Sequence, residues 1–214
     1  MIRIVIADDH TIVREGLKQL LGAAGDIAVA GEACDGHEVL KCVREIDFDV
    51  LLLDMSMPGK GGIELIRMVR AEKPKLRVLV LSMHEEHQYA VRAIRAGASG
   101  YLTKESASGQ LVAAIRKVAG GGAFISAAVA EQLALGAMPD AQGPLHGSLS
   151  DREFQVFRML AEGRSISDIA ERLSLSVKTV STHKSNILHK MNMATSGDLI
   201  RYAIAHRLVD SSDE

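Results

Sequence analysis

Three aspartates, a serine and a lysine in this chain stand where such side chains could do chemistry together. Asp8 and Asp9 follow the apolar run Ile4-Val5-Ile6-Ala7, and Asp54 follows Leu51-Leu52-Leu53. Ser82 follows Val80-Leu81, and Lys104 closes the stretch Gly100-Tyr101-Leu102-Thr103. Three carboxylates in one crevice repel one another unless a cation joins them. An oxygen donor set open to water suits Mg2+ better than zinc. A carboxylate beside such an ion can attack a phosphoryl donor and form an aspartyl phosphate. The ion and a lysine would neutralise the equatorial oxygens, and a hydroxyl could bond one of them. Taken singly, each residue has a plainer reading. An Asp after a strand is commonly a turn or cap residue, Asp9 would suit the cap of a helix starting near Thr11, and a lone lysine is ordinarily solvated. Their joint occurrence behind four apolar runs points to a phosphoacceptor site.

Those side chains meet only if the runs are strands of one sheet. Short β-branched or Leu-rich runs fall at roughly 2–7, 27–33, 49–53, 77–82 and 100–102. Amphipathic stretches of helical length separate them, at about 11–22, 36–46, 61–72, 87–96 and 107–118. Five strands alternating with five helices predict an open, mostly parallel α/β sheet covered on both faces. In such a sheet function gathers beyond the carboxyl ends of the strands, near the point where strand order reverses.

The pattern changes after Gly120-Gly121-Gly122. A short helix is predicted at 127–136, and a turn-rich segment from Met138 to Gly147 holds Pro139, Gly143 and Pro144. From Leu149 the chain reads as purely helical, with helices at about 151–162, 166–173, 177–191 and 196–207. Ser150 with Glu153 three positions on has the capping-box pattern. The domain boundaries expected are therefore 1–118, a joint at 119–146 with its short helix, and an all-α four-helix domain at 147–214. In that domain a helix ending at Leu173, the turn Ser174-Leu175-Ser176 and a second helix suit a helix-turn-helix. Lys178, Thr179, Ser181, Thr182, Lys184 and Ser185 on the second helix could reach phosphates or base edges. Ile169, Leu173, Val180 and Ile187 would form its core. A four-helix interaction module with a solvated Ser/Thr face fits the same composition.

Net charge is −2, which argues against a protein that coats nucleic acid indiscriminately. Residues 1–125 carry 16 basic and 16 acidic side chains, whereas residues 174–207 carry five basic against the single acidic Asp198. The positive charge is thus local to the C-terminal helices. No apolar run approaches the roughly 18 residues of a membrane span, and the N-terminus lacks the features of a secretory signal, so a cytoplasmic location is expected. Cys34 and Cys42 form no C-x-x-C and read as two half-buried free thiols.

The same residues resemble a known family. Ile4 to His10, Leu51-Leu52-Leu53-Asp54-Met55-Ser56-Met57-Pro58-Gly59, Val80-Leu81-Ser82 and Gly100 to Lys104 look like the receiver domain of two-component response regulators. Leu149-Ser150-Asp151-Arg152-Glu153, Ala161-Glu162-Gly163, Ile169 to Leu173, Ser176 to His183 and Ile187 to Met191 look like the LuxR-type DNA-binding domain. Together the chain resembles NarL/FixJ-type regulators. The resemblance implies a flavodoxin-like five-stranded receiver in which Asp54 accepts the phosphoryl group. Asp8 and Asp9 would hold Mg2+ with Asp54 and the Ser56 backbone carbonyl, and Ser82 and Lys104 would contact the phosphoryl group. Tyr101 matches the switch aromatic. Ser56 and His84 occupy positions that influence the lifetime of the phosphoryl group. In the second domain Ser181, Thr182 and Ser185 fall on base-contact positions, and Lys178, Thr179 and Lys184 on phosphate-contact positions. His183 belongs to the same DNA-binding stretch. Some relatives carry lysine at Ser181 or Ser185, so a weaker salt dependence of binding is expected here. The last helix would be a dimerisation surface.

The expected function is a phosphorylation-dependent transcriptional regulator. Its partners would be a cognate histidine kinase, operator half-sites in double-stranded DNA and a second copy of itself, with no membrane. It would not be an enzyme beyond its own phosphoryl transfer and dephosphorylation. Two rivals stand beside it: a phosphatase or phosphotransferase using Asp54 on small substrates, disfavoured by Ser56 where a second carboxylate would act as acid, and a regulator controlled by a protein partner or by its concentration. A nucleotide-binding protein fits less well, because Gly59-Lys60-Gly61-Gly62 lacks Walker spacing.

Overall fold

The computed structural model describes residues 1–55, 57, 62–82, 87–135, 144–206 and 208–209. Ser56 and His84 lie outside the described residues. The chain divides into two compact units, Met1–Leu135 and Gly136–Glu214.

In the first unit β1 (Ile2–Ala7), β2 (Ile27–Ala33), β3 (Val50–Asp54), β4 (Arg77–Ser82) and β5 (Gly100–Thr103) alternate with α1 (Thr11–Gly22), α2 (Gly36–Glu45), α3 (Gly62–Glu72), α4 (His87–Arg95) and α5 (Lys104–Ala119). The strands form one parallel sheet in the order β2-β1-β3-β4-β5. Strand order reverses between β1 and β3, which opens a crevice at their carboxyl ends. Residues of β3 and β4 are buried without alternation, as strands covered on both faces require. One face turns Ile4, Ile6, Val50, Leu52, Leu79 and Leu81 into a core closed by Leu21 of α1 and by Leu111, Ala114, Ile115 and Val118 of α5. Helices α2, α3 and α4 neighbour one another in that order and bury Val39, Val43, Ile66, Val69 and Ala93.

A short extended segment after α5 adds to the open edge of β5. The Tyr101 amide donates to Phe124 O at 2.8 Å, and the Phe124 amide donates to Ser99 O at 3.1 Å. The close approach requires glycine at position 100: a Cβ there would lie 2.8 Å from Leu79 Cδ1 and 2.9 Å from Phe124 O. The second of these is backbone and cannot swing aside. Gly100→Ala is therefore expected to cost about 1–3 kcal/mol, read as a lower denaturation midpoint of this unit. The short helix expected in the joint is α6 (Ala127–Leu135), and it packs against α4 within the first unit.

The second unit contains α7 (Asp151–Ala161), α8 (Ile166–Arg172), α9 (Val177–Lys190) and α10 (Ser196–Ala205). Serine and threonine N-caps start all four, and the capping box at Ser150 and Glu153 is present. Burial of Phe154, Phe157, Ile169, Leu173, Val180, Ile187 and Leu199 builds its core. One feature departs from the expected joint. His146, in a 3-10 turn at Leu145–Ser148, is fully buried, and its Nδ1 lies 2.8 Å from the Tyr202 hydroxyl. Its ring sits among Phe154, Tyr202 and His206 at centroid distances of 5.6–6.0 Å, so the helical unit begins before residue 147. Cys34 is exposed rather than half-buried, and Cys42 is partly buried; both are free thiols.

Candidate functional site: an acidic crevice and a helix-turn-helix

Strand ends bring the first group of side chains together. Asp54 is the last residue of β3, Asp8 directly follows β1, and both are 1% exposed. Lys104 opens α5, where a cation faces the positive end of the helix dipole. It is held there by the carboxylates: its Nζ lies 2.7 Å from Asp8 Oδ2 and 3.2 Å from Asp54 Oδ2. Burial, the strongest single influence on Lys104, pushes its pKa down. The Asp8 hydrogen bond and the charges of Asp54 and Asp8 outweigh it, so the ammonium stays protonated with a pKa above its ordinary 10.5. Among the described residues, two buried carboxylates, a third at Asp9 and the one ammonium of Lys104 carry an excess of two negative charges. That excess, in a set of oxygen donors, matches one hard divalent cation.

Asp9 does not cap α1. The N-cap is His10, whose imidazole makes no cap hydrogen bond. Instead His10 Nδ1 lies 2.9 Å from Asp9 Oδ1 and 3.3 Å from Asp8 Oδ1. One donor atom from each of Asp8, Asp9, His10 and Asp54 lies within 4.8 Å of the others. Ser82 ends β4 on the same sheet edge, buried beside β3 and in register with Thr103. Tyr101 is buried on β5, in register with Val80.

In the second unit α8 and α9 are joined by a tight turn. Ser174 takes a positive φ of 52° there, while the Ser174 amide donates to Glu171 O and the Leu175 amide to Ala170 O. This is a Schellman ending with serine in the place glycine usually fills. Val180 and Ile187 face inward, which leaves Lys178, Thr182 and Ser185 exposed and Thr179, Ser181 and Lys184 partly so. The hydroxyls of Thr182 and Ser185 donate to Lys178 O and Ser181 O of their own helix. Glu153 of α7 ties α9 down through Lys190 at 2.7 Å. Its burial pushes the carboxyl pKa up, but Lys190 and the Ser150 hydrogen bonds outweigh that and hold it below its ordinary 4.5.

Two family models match, "Response regulator receiver domain" over residues 4–116 and "Bacterial regulatory proteins, luxR family" over residues 147–203. The chain is a response regulator. It is similar along its whole length to response regulator GacA of Pseudomonas aeruginosa, 37% identical over 99% of this chain and 100% of that one. It is also similar to response regulator UvrY of Escherichia coli, 36% identical over 99% of this chain and 97% of that one. Among solved structures, RcsB of Salmonella enterica serovar Typhimurium, bound to the promoter rprA in the presence of the phosphomimetic BeF3-, is 28% identical. It covers 96% of this chain and 100% of its own, with a TM-score of 0.67.

In this response regulator, then, Asp8, Asp9, Asp54 and Lys104 converge, and Ser82 shares their edge. His10 joins the cluster without having been expected there. Its only signal in the sequence is its position directly after the acidic pair. His183 differs from its neighbours on α9: its Nδ1 is buried and finds no hydrogen-bond partner among the described residues. Burial first, and the Arg152 charge second, hold its pKa below the ordinary 6.5, although Glu153 opposes this. A histidine kept neutral in the fold binds its proton more readily when unfolded. Stability from His183 is therefore complete above about pH 6.5 and is lost as pH falls below it. The helical unit of wild type is expected to show a modest fall in melting temperature between pH 7 and pH 5, and His183→Gln a smaller one. Equal slopes in the two proteins would reject this role.

Proposed function

We propose that this regulator is switched by phosphorylation of Asp54 and acts by binding DNA through α9. The observation that carries the reading is the excess of carboxylates around Lys104 among the described residues, an arrangement that costs stability and is therefore expected where function requires it. Asp8, Asp9 and Asp54 would hold Mg2+ together with the Ser56 backbone carbonyl. The ion supplies neutralisation of the phosphoryl oxygens when bound. An Asp54 carboxylate oxygen attacks the phosphorus of a phosphohistidine on the cognate kinase. The P–N bond breaks, its electron pair returns to the imidazole, and that nitrogen takes up a proton. Lys104 holds charge on the equatorial oxygens, and the Ser82 hydroxyl donates to one of them. Ser82 and Tyr101, on adjacent strands, then bias the edge of the sheet between two packings.

Downstream, Ser181, Thr182 and Ser185 would face base edges, with Lys178, Thr179 and Lys184 on phosphates. His183 buries its Nδ1 and would support the helix from behind. Pairing of two copies, with α10 as their contact, would present two recognition helices to paired half-sites. The solved RcsB bound to a promoter in the presence of the phosphomimetic BeF3- supports the link between phosphorylation and DNA binding. The protein catalyses only its own phosphoryl transfer and loss, and works in the cytoplasm.

The test is intact mass after exposure to a small acyl phosphate, with and without Mg2+, followed by DNA binding of the product. One phosphoryl adduct that needs both Mg2+ and Asp54, and that tightens DNA binding, is expected. An adduct that leaves DNA binding unchanged would hand control to a protein partner, and steady turnover of the donor would revive the phosphotransferase.

A further inference from the structure

We propose that the His10 imidazole is a nitrogen donor to the cation in the acidic crevice, and that it makes the site favour borderline transition-metal ions, of the Mn2+ to Zn2+ series, beside Mg2+. The inference rests on the reading that Asp8, Asp9 and Asp54 hold a divalent cation and adds a fourth ligand to that set.

His10 occupies a position whose side chain ordinarily turns onto its own helix. An N-cap residue accepts a backbone N–H from the first turn, yet the His10 side chain makes no such bond. The backbone around it is pinned, since its N–H donates to Asp8 Oδ1 at 2.8 Å and its carbonyl accepts from the Arg14 amide at 3.1 Å. Arg14 Nη1 in turn donates to Asp8 O at 2.7 Å. With the main chain fixed on both sides, the ring is aimed at the carboxylates, with Nδ1 at 2.9 Å from Asp9 and 3.3 Å from Asp8.

Those distances suit shared ligation. Ions of this class sit about 2.1 Å from nitrogen and oxygen donors, which places adjacent ligands about 3.0 Å apart and opposite ones about 4.2 Å apart. The four donor atoms already fall within 4.8 Å of one another, so closure on one ion asks for movements of roughly half an ångström. The ring is also free to adjust, because the His10 side chain is 60% exposed.

Donor chemistry then sets the preference. Mg2+ binds oxygen and tolerates nitrogen poorly, whereas imidazole suits the later first-row ions. An imidazole ligand brings no charge to an ion it coordinates, so the carboxylates of Asp8, Asp9 and Asp54 still suit a divalent ion. His10 should therefore strengthen binding of Mn2+ or Zn2+ and leave Mg2+ nearly unaffected, since the exposed ring can swing aside.

The full-length protein can be tested with Mn2+ as the probe, by pulsed electron paramagnetic resonance and by Mg2+ competition. Wild type is expected to show nitrogen-14 coupling from a directly bound imidazole. His10→Gln should lose it and bind Mn2+ at least about tenfold more weakly, with Mg2+ affinity changed less than about twofold. Asp8→Asn should weaken both ions in parallel, which places them in this crevice. Nitrogen coupling that survives in His10→Gln, or equal weakening of both ions, would overturn the role of His10 while leaving the cation site standing. Failure of wild type to bind either ion would remove the cation site itself.

Discussion

Asp54→Asn is expected to melt at a higher temperature than wild type while losing the phosphoryl adduct completely. Asp8 and Asp54 are both buried and share the Lys104 ammonium. Charges removed from water cost several kcal/mol each unless partners replace the lost hydration. Neighbouring carboxylates raise that cost by mutual repulsion. Asparagine keeps the shape and removes one charge, which should stabilise the receiver unit by about 1–3 kcal/mol, or roughly 4–11 °C. Lys104→Met has the opposite sign. It takes the Lys104 ammonium away from two buried carboxylates and should cost about 3–5 kcal/mol. Calorimetry with and without Mg2+ separates the causes, because an ion bound only by the folded state raises stability with its concentration. Wild type should gain on adding Mg2+, and Asp54→Asn should gain less. An Asp54→Asn protein that melts at or below wild type, with no Mg2+ effect in either, would mean the crevice stores no electrostatic strain.

The candidate site was legible in the sequence because carboxylates, a hydroxyl and a lysine fall together behind four apolar runs, although each alone has a plainer reading. The fold was legible for the complementary reason, that period and propensity agree along most of the chain. Unbroken apolar runs marked the buried strands, and the capping box at Ser150 marked a helix start. Where the reading fell short, the deciding contact was distant. The turn-rich segment around Pro144 gave no hint that His146 is a core residue, because its partner Tyr202 lies 56 positions away. Helix α5 begins at Lys104 rather than near 107, since Thr103 supplies an N-cap that the hydrophobic period does not register. The inward turn of His183 follows from its place on α9 between Val180 and Ile187. A residue on the flank of the buried stripe can face either way, and here Nδ1 turns inward.

Phe157→Ala is expected to abolish DNA binding while leaving phosphorylation intact. Phe157 is fully buried at the centre of the helical unit, with ring centroids 6.0 Å from Phe154 and 6.4 Å from Tyr202. Truncating such a side chain removes its transfer free energy and leaves a cavity, together about 3–5 kcal/mol. A single core in a domain of fewer than about 80 residues rarely supplies more than that in net stability, so the helical unit should be largely unfolded at 37 °C. The receiver has its own core between the sheet and its helices. The full-length variant should therefore show only the receiver's melting transition, bind no DNA, and still gain one phosphoryl group at Asp54. Phe157→Leu, which conserves most of the volume, should cost less than about 1.5 kcal/mol and retain both activities, so that loss in the alanine variant is traced to packing. If Phe157→Ala also prevents the adduct, the two units depend on each other to fold. Switching would then act through shared stability rather than through a receiver that folds by itself and a reader it controls.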